Sequence, residues 1–591
     1  MITIARMVKS VANSAGMKPR FERMIFVAEL SISSGLFMKG SPMSSLVRNS
    51  RWIPLLLVSS AAACVPQASD APSAAAEAAP VAPVASAIEA LAEVRADAEA
   101  LVIDEAVRHG RGLTFAPCAD DPELECGQLQ VPVDYARPRG QRLQLATVRA
   151  PATGPRRQGM IFVNPGGPGA SGVDFVTFAK PLFAALRESF DIVSFDPRGT
   201  ARSSPVDCDV ALPAPPLSDT LDATAAYLDE VGRRYAAACG AQYPGLATAV
   251  GTNNVARDMD VFREALGERE FNYLGYSYGT ILGASYATLF PGRVRAMVLD
   301  GNAPPAWFAD YLVELDAEGS AGAEAALRRI DQLCRAAADC PLRTEGVVTV
   351  FDRVVERLNR NPVPAEGGVI SGLSVTYQVF GAMYNEPFGW PYITRLLARV
   401  DGGDTRGLPA FPQEDGPSAV FPGTFAILCS DATTRRGGLD YLPSQNAANA
   451  TYSRFGGINF GIAPALCSAW PRPPVAPLTS LRTRGSIVLI GNDFDPATPM
   501  TWSRNMAAAL GPKARLVRYQ GGGHTIYGSG SACVDGAVEG YFRRLTSPAL
   551  GLTCPALPLA FSATARLAST PRMSEIVQQV TPKAPVLPGR R

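Results

Sequence analysis

Histidine is nearly absent from this chain: 591 residues contain two, His109 and His524. So few imidazoles exclude a multi-histidine metal site and confine any histidine base to two positions. Net charge is nearly absent as well. Lys+Arg 55 against Asp+Glu 54 leaves +1, so no bulk field draws the chain to nucleic acid or another polyanion. Only 18% of residues are charged, while 47% are hydrophobic, enough for a sizeable core, and wholesale disorder is excluded. The length accommodates two large domains or three to four average ones.

The N-terminal part reads as an address. In Met43 to Cys64 (MSSLVRNSRWIPLLLVSSAAAC), Arg48 and Arg51 precede an apolar run from Ile53 to Val58, and small residues end at a cysteine. That is the layout of a secretory signal, too short to stay in a bilayer as a helix. The three alanines before Cys64 resemble a bacterial lipoprotein cleavage site, with Cys64 becoming the lipidated first residue, although Ala61 stands where Leu is usual. Ordinary cleavage that removes Cys64 is the alternative. Residues 1–42 do not fit the start of such a signal, and Met43 is the expected start. From Val65 to about Ala100 the chain is rich in Ala and Pro and lacks the large apolar residues that offset ordering entropy, so it reads as a tether. A helix around Ile88 to Val107 is compatible with it. His109, at the tether's edge, reads as a solvated surface residue. Folded sequence is expected from Leu113.

The expected organisation is a leader to 63, a tether over 64–112, a core over 113–303 and 471–560, an insertion over 304–470, and a tail over 561–591. The expected location is exported: a periplasmic or outer-membrane-anchored lipoprotein, or a secreted protein. Membrane contact is expected only through a lipid at Cys64. Apart from Cys64, ten cysteines remain: Cys118, Cys126, Cys208, Cys239, Cys334, Cys340, Cys429, Cys467, Cys533 and Cys554. An even number in an exported chain points to five disulfides, with neighbours in order as the expected pairs.

From about residue 143 β-rich apolar runs alternate with helical segments. Strands are expected at Arg142–Arg149, Gly159–Asn164, Phe190–Asp196, Phe271–Gly275, Arg295–Asp300, Ser486–Gly491 and Arg515–Gln520. Helices are expected from Thr252 to about Leu266, from Gly279 onward and near Met500–Leu510. This alternation argues a doubly wound, mostly parallel sheet with its active groups at the strands' C-terminal ends.

Gly275-Tyr-Ser277-Tyr-Gly279 sits between one such strand and helix, the context a nucleophile elbow requires. A serine hydroxyl needs a base, and His524 follows a strand in the loop Gly521-Gly-Gly523-His524. The orienting acid belongs on the preceding strand's exit, Gly491-Asn-Asp493-Phe-Asp495-Pro. Asp495 is the first choice, Asp493 its neighbour and Asp300 a more distant rival. The chain order Ser277, Asp495, His524 is that of the α/β-hydrolase fold. For the oxyanion, the N–H of Tyr278 and one from the loop Asn164-Pro-Gly-Gly167-Pro-Gly-Ala-Ser-Gly172 are the expected donors, Gly167 being favoured. That loop lacks the Lys-Ser/Thr of a P-loop and the G-x-G-x-x-G spacing, which argues against a nucleotide.

Taken together, ECGQLQVPVDY (125–135), NPGGPGASG (164–172), FDPRGTARSS (195–204), GYSYG (275–279), DPATP (495–499) and GGGH (521–524) resemble the proline iminopeptidase and tripeptidyl aminopeptidase branch of serine α/β-hydrolases. The resemblance spans roughly 115–555. It implies an exported serine peptidase releasing N-terminal residues or short peptides, without cofactor or metal, with Ser277, Asp495 and His524 as triad and Gly167 and Tyr278 as oxyanion donors. Proline iminopeptidases usually begin the oxyanion loop with His; here Asn164 stands there, as in the secreted members. The spacing from Gly491 to Asp495 is one residue longer than the pattern. An esterase with the same triad and a lipid-anchored binding protein are the other two readings.

The stretch from Pro304 to Trp470 interrupts the sheet pattern with helical runs (Ala321–Ala338, Val347–Arg360, Tyr392–Arg399) and an aromatic-rich loop at Met383 to Trp390. It reads as a cap over the site. An aminopeptidase must hold the substrate's α-ammonium, and Glu386 and Asp431 are the candidate carboxylates in the cap.

Overall fold

The computed structural model describes residues 113–562, apart from 211–220, 309–312, 367, 411–421, 434, 436, 441–450, 452–453, 457–466, 472–482 and 484. The leader, Cys64, the tether, the helix considered at 88–107, His109 and residues 563–591 lie outside the described residues.

Ten strands form one sheet: β1 (Ala116–Pro117), β2 (Glu125–Pro132), β3 (Arg142–Ala150), β4 (Met160–Asn164), β5 (Asp191–Phe195), β6 (Phe271–Tyr276), β7 (Val294–Asp300), then, in chain order after a small hairpin of β8 (Val363–Ala365) and β9 (Gly368–Ile370), β10 (Ile487–Phe494), β11 (Ala514–Gly522) and β12 (Thr553–Cys554). The order is β1-β2-β3-β5-β4-β6-β7-β10-β11-β12. β1, β2, β3 and β5 pair antiparallel, and every pairing from β5 to β12 is parallel. The central strands MIFVN, DIVSF and FNYLGY are buried along their whole length, as a parallel sheet covered on both faces requires.

Alternate residues of each strand feed opposite layers. Phe162, Phe195, Tyr273, Leu299 and Leu489 pack against α3 (Thr252–Ala265), α4 (Tyr278–Leu289) and α10 (Met500–Leu510), the helices of one face. Val163, Ile192, Leu274, Val298 and Ile490 pack with α1 (Gly172–Ala179) and α11 (Ala532–Arg544) on the other. Helix α2 (Leu221–Gln242), to which the sequence reading assigns nothing, joins the first layer through Leu228, Val231 and Tyr235. This is the α/β-hydrolase architecture.

Between β7 and β10 the chain leaves the sheet and builds α5 (Val313–Ala336), α6 (Val347–Arg360), α7 (Gly372–Met383), α8 (Glu386–Asp401) and α9 (Pro422–Asp431). Helix α6 shows why these residues fold so: Val347, Val350, Phe351, Val354, Val355 and Leu358 recur at helical spacing and are all buried. They meet Leu327 and Ile330 of α5, Val375 and Val379 of α7, and Trp390 and Ile393 of α8 in a third core of their own. One reading is corrected here. Glu386 to Trp390 is not loop but the opening of α8, because the Asn385 side chain caps the Phe388 N–H and proline stands at the start of the helix, where its missing N–H costs nothing.

All ten cysteines outside the N-terminal segment pair as neighbours in order: Cys118–Cys126, Cys208–Cys239, Cys334–Cys340, Cys429–Cys467 and Cys533–Cys554.

Candidate active site

Ser277 lies on the turn from β6 into α4, with φ 55° and ψ −127°. That backbone region is costly for a side-chain-bearing residue, and it persists because the surroundings over-determine it. The Ser277 N–H donates to Asp300 O at 2.9 Å, and Tyr273 donates its hydroxyl to Gly279 O at 2.6 Å. The flanking glycines are dictated by space. A Cβ on Gly275 would lie 2.4 Å from Gly279 O, and one on Gly279 would lie 2.8 Å from Asn164 O. This is a nucleophile elbow.

The loop after β4 lies directly on that turn: a Cβ on Gly166 would meet Tyr276 O at 2.6 Å and Tyr278 N at 3.0 Å. Asn164 explains itself here. Its Oδ1 accepts the Gly166 N–H at 3.0 Å, folding the loop back over the elbow and committing that donor. The next N–H along the loop is Gly167's, and Tyr278 N opens α4, where helical N–H groups have no partner within the helix.

His524 follows β11 and is 2% exposed. Its Nδ1 lies 3.0 Å from both Asp495 oxygens. Asp495 also accepts from Ala497 N and Thr498 N, each at 2.8 Å, and from Thr498 Oγ1 at 2.9 Å. An oxygen pair so rich in donors is a carboxylate, so the proton sits on Nδ1 and Nε2 is the basic nitrogen. Thr498, whose Oγ1 is also 3.2 Å from Nδ1, is a residue the sequence reading missed. Its signal was the spacing DPAT, a hydroxyl one turn after the acid.

The rivals for the acid have other work. Asp493 faces outward and pairs with Arg518 at 2.7 and 2.8 Å. The β10–β11 register shifts between Asn492 and Phe494, with the extra residue on β11, just before the loop that carries His524. Asp300 is fully buried and accepts the N–H groups of Ile526 and Tyr527 at 3.0 and 2.8 Å, not His524. Ser277 and His524 converge on the turn that follows it. A Cβ on Gly301 would lie 3.3 Å from His524 Cε1, and Asp300 O holds Ser277 N.

Tyr384 O accepts the His524 N–H at 2.8 Å, and the Tyr384 ring stands edge-on to the imidazole with centroids 4.8 Å apart. Glu386 accepts the Tyr519 hydroxyl at 2.8 Å and a backbone N–H from Gly522. Burial pushes its carboxyl above the usual range, against these bonds. Asp431 ends α9 and accepts Thr252 N at 2.7 Å and Thr252 Oγ1 at 2.5 Å, serving the N-terminus of α3; Thr252 Oγ1 is also 2.5 Å from Tyr278 OH. Helix α9 reaches the oxyanion loop as well, Thr424 donating to Pro168 O at 3.1 Å. Among the described residues no group of three His, Cys, Asp or Glu side chains is arranged to hold a metal ion.

Residues 453–554 match the model of the TAP-like protein family. Over 494 residues the chain is 33% identical to serine protease Hip1 of Mycobacterium tuberculosis, covering 75% of this chain and 91% of that protein. The chain belongs to the tripeptidyl aminopeptidase-like family of serine α/β-hydrolases. A second member, tripeptidyl aminopeptidase of Streptomyces coelicolor, is 28% identical over 471 residues, 75% of this chain and 86% of that one. A third, carboxylesterase B of Mycobacterium tuberculosis, is 33% identical over 472 residues, 74% and 88% of the two chains. As a serine hydrolase of this family the chain keeps the elbow, the oxyanion loop and the acid–base pair in the family's chain order.

Proposed function

We propose that this chain is an exported serine peptidase that releases N-terminal residues or short peptides from peptide substrates. The observation that carries the reading is the Asp495–His524 pair at 3.0 Å beside a strained serine turn. In this reading His524 Nε2 takes the Ser277 proton as Oγ attacks the scissile carbonyl. Asp495 stabilises the imidazolium that results. The Tyr278 and Gly167 N–H groups hold the oxyanion, each such donor being worth about 3–4 kcal/mol in rate. His524 then gives its proton to the leaving amine, and water, activated by the same histidine, releases the acyl group from Ser277. No cofactor or metal enters these steps.

The two relatives named as peptidases support the peptide substrate. The helical insertion is read as the cap that meets the substrate's amino end. Asp431 is the carboxylate we assign to the α-ammonium, since α9 carries it from the oxyanion loop to Thr252 and so to Tyr278. Glu386, turned to the back of the base loop, is the second candidate. Location is part of the same proposal: export through the signal ending at Cys64, with a lipid there or cleavage nearby. Mass spectrometry of the mature N-terminus decides between them.

The deciding experiment compares a short peptide anilide with its N-acetylated twin. A charge-assisted bond to the ammonium predicts a kcat/KM at least about tenfold higher for the free amine. Asp431→Asn is expected to erase that preference. Equal rates on the two peptides would reject the aminopeptidase assignment, and faster turnover of simple esters would favour the carboxylesterase reading.

A further inference from the structure

Asp300 ends β7, the strand that the sheet order places between β6, which carries Ser277, and β10, which delivers Asp495. Its carboxylate is inaccessible to solvent. Oδ2 accepts the two N–H groups just past His524, those of Ile526 and Tyr527, while the residue's main-chain oxygen accepts the N–H of Ser277. Oδ1 is buried without a hydrogen-bond partner. One residue therefore grips both the nucleophile's turn and the base's loop, and no step of the proposed chemistry uses it.

We propose that Asp300 is a positioning residue: its ionised carboxylate pins the segment after His524, holds that segment in register with Ser277, and adds a second negative charge behind the imidazolium. A neutral carboxyl is the weaker acceptor for two backbone N–H groups, so protonation loosens the grip. The groups facing it are His524 and Asp495 at the triad and Tyr276 on β6; Tyr276 in turn faces Tyr527 and Asp535 of α11. Burial drives the Asp300 carboxyl up to about 7, with Asp495 adding to the push and the two N–H bonds and His524 opposing it. The ionised, gripping form is therefore gained as pH rises through neutrality. Activity on the acid side then requires two deprotonations, one on His524 and one on Asp300.

The inference rests on the proposed triad, but its test need not. His524 is one of two histidines, so in a His109→Ala background carbon-13-labelled histidine reports a single imidazole. The His524 Cε1 signal is expected to show two inflections with pH in that protein and one in the added Asp300→Asn variant. In parallel, the acid limb of kcat/KM should flatten from a limiting slope near two to one, with kcat down about tenfold and KM moved less than about twofold. A single His524 inflection with Asp300 intact overturns the proposal, even if the variant does not fold. Unchanged kcat and slope in a folded Asp300→Asn overturns it equally. Failure of the triad reading itself would appear instead as full activity in Ser277→Ala.

Discussion

Ser277 and His524 are held by different parts of the molecule. The groups pressed against the nucleophile's turn belong to the sheet and its helices: Tyr273 and Gly275 on β6, Gly279 on α4, Asn164 at the end of β4 and Gly166 just past it, Asp300 on β7. Helix α9 of the insertion reaches the neighbouring Pro168 and, through Thr252, the Tyr278 hydroxyl. The base loop is instead wedged between sheet and insertion. A Cβ on Gly521 would lie 2.3 Å from Glu386 Oε2, one on Gly522 2.1 Å from the Trp390 ring, and one on Gly523 2.9 Å from Tyr384 O. Glycines that look alike in sequence thus do different jobs. Those of GYSYG let the core close on itself, and those of GGGH let α8 dock. The elbow is a property of the core fold, whereas the base's position is shared with the insertion.

The largest expected effects lie at the triad. Ser277→Ala or His524→Ala should cut kcat by roughly four to six orders of magnitude, as removal of a member that acts as part of a unit does. Asp495→Asn should cost about 10⁴-fold through the wrong imidazole tautomer. Asp493→Asn, breaking only an exposed pair with Arg518, should change stability by less than about 1 kcal/mol and leave kcat nearly intact. Steady-state kinetics on one peptide anilide checks all four, and the reverse order for the two aspartates would reassign the acid.

The wedge itself can be broken next. Gly522→Ala overpacks against Trp390 and should destabilise by about 1–3 kcal/mol. Adding Trp390→Leu makes room, so the double variant should lose less than the two single costs summed. Gly275→Ala clashes with Gly279 O inside the core, and its cost should simply add to that of Trp390→Leu. Denaturant unfolding measures the cycle. Additive costs at Gly522 would show that the insertion does not press on the base loop.

A smaller effect concerns pH. Asp300 titrates near 7 when folded, against 3.8 ordinarily, so between those values the unfolded chain gains an anion that the fold resists. Its contribution to stability is whole at low pH and is lost as pH rises toward 7. Asp300→Asn abolishes that loss. The difference in Tm, variant minus wild type, should therefore be more positive at pH 8 than at pH 4, and a flat difference would contradict the shift.

The fold and the triad were legible because they rest on local pattern. Fully buried parallel strands read as short apolar runs, the elbow as a pentapeptide between strand and helix, and the base by elimination among two histidines. The disulfides followed because each partner is the next cysteine along. What escaped depends on approach in space. Thr498 meets His524 only once β10 and β11 lie side by side and bring their two exit loops together, which the spacing of DPAT does not show. Charge and location pick out Glu386 and Asp431 as candidate ammonium ligands, but nothing local reveals which groups they also bond, Tyr519 for one and Thr252 for the other. The opening of α8 read as loop because its proline and aromatics outweighed a cap that only Asn385 signals.

The central claim is that the elbow arms Ser277 as the nucleophile and His524 as its base. Intact-mass measurement after reaction with a fluorophosphonate tests this without assuming any substrate. The account predicts one adduct on the wild type, mapped to Ser277, none on Ser277→Ala, and labelling slowed by orders of magnitude on His524→Ala. An undiminished adduct on Ser277→Ala, or labelling of His524→Ala at the wild-type rate, would contradict it.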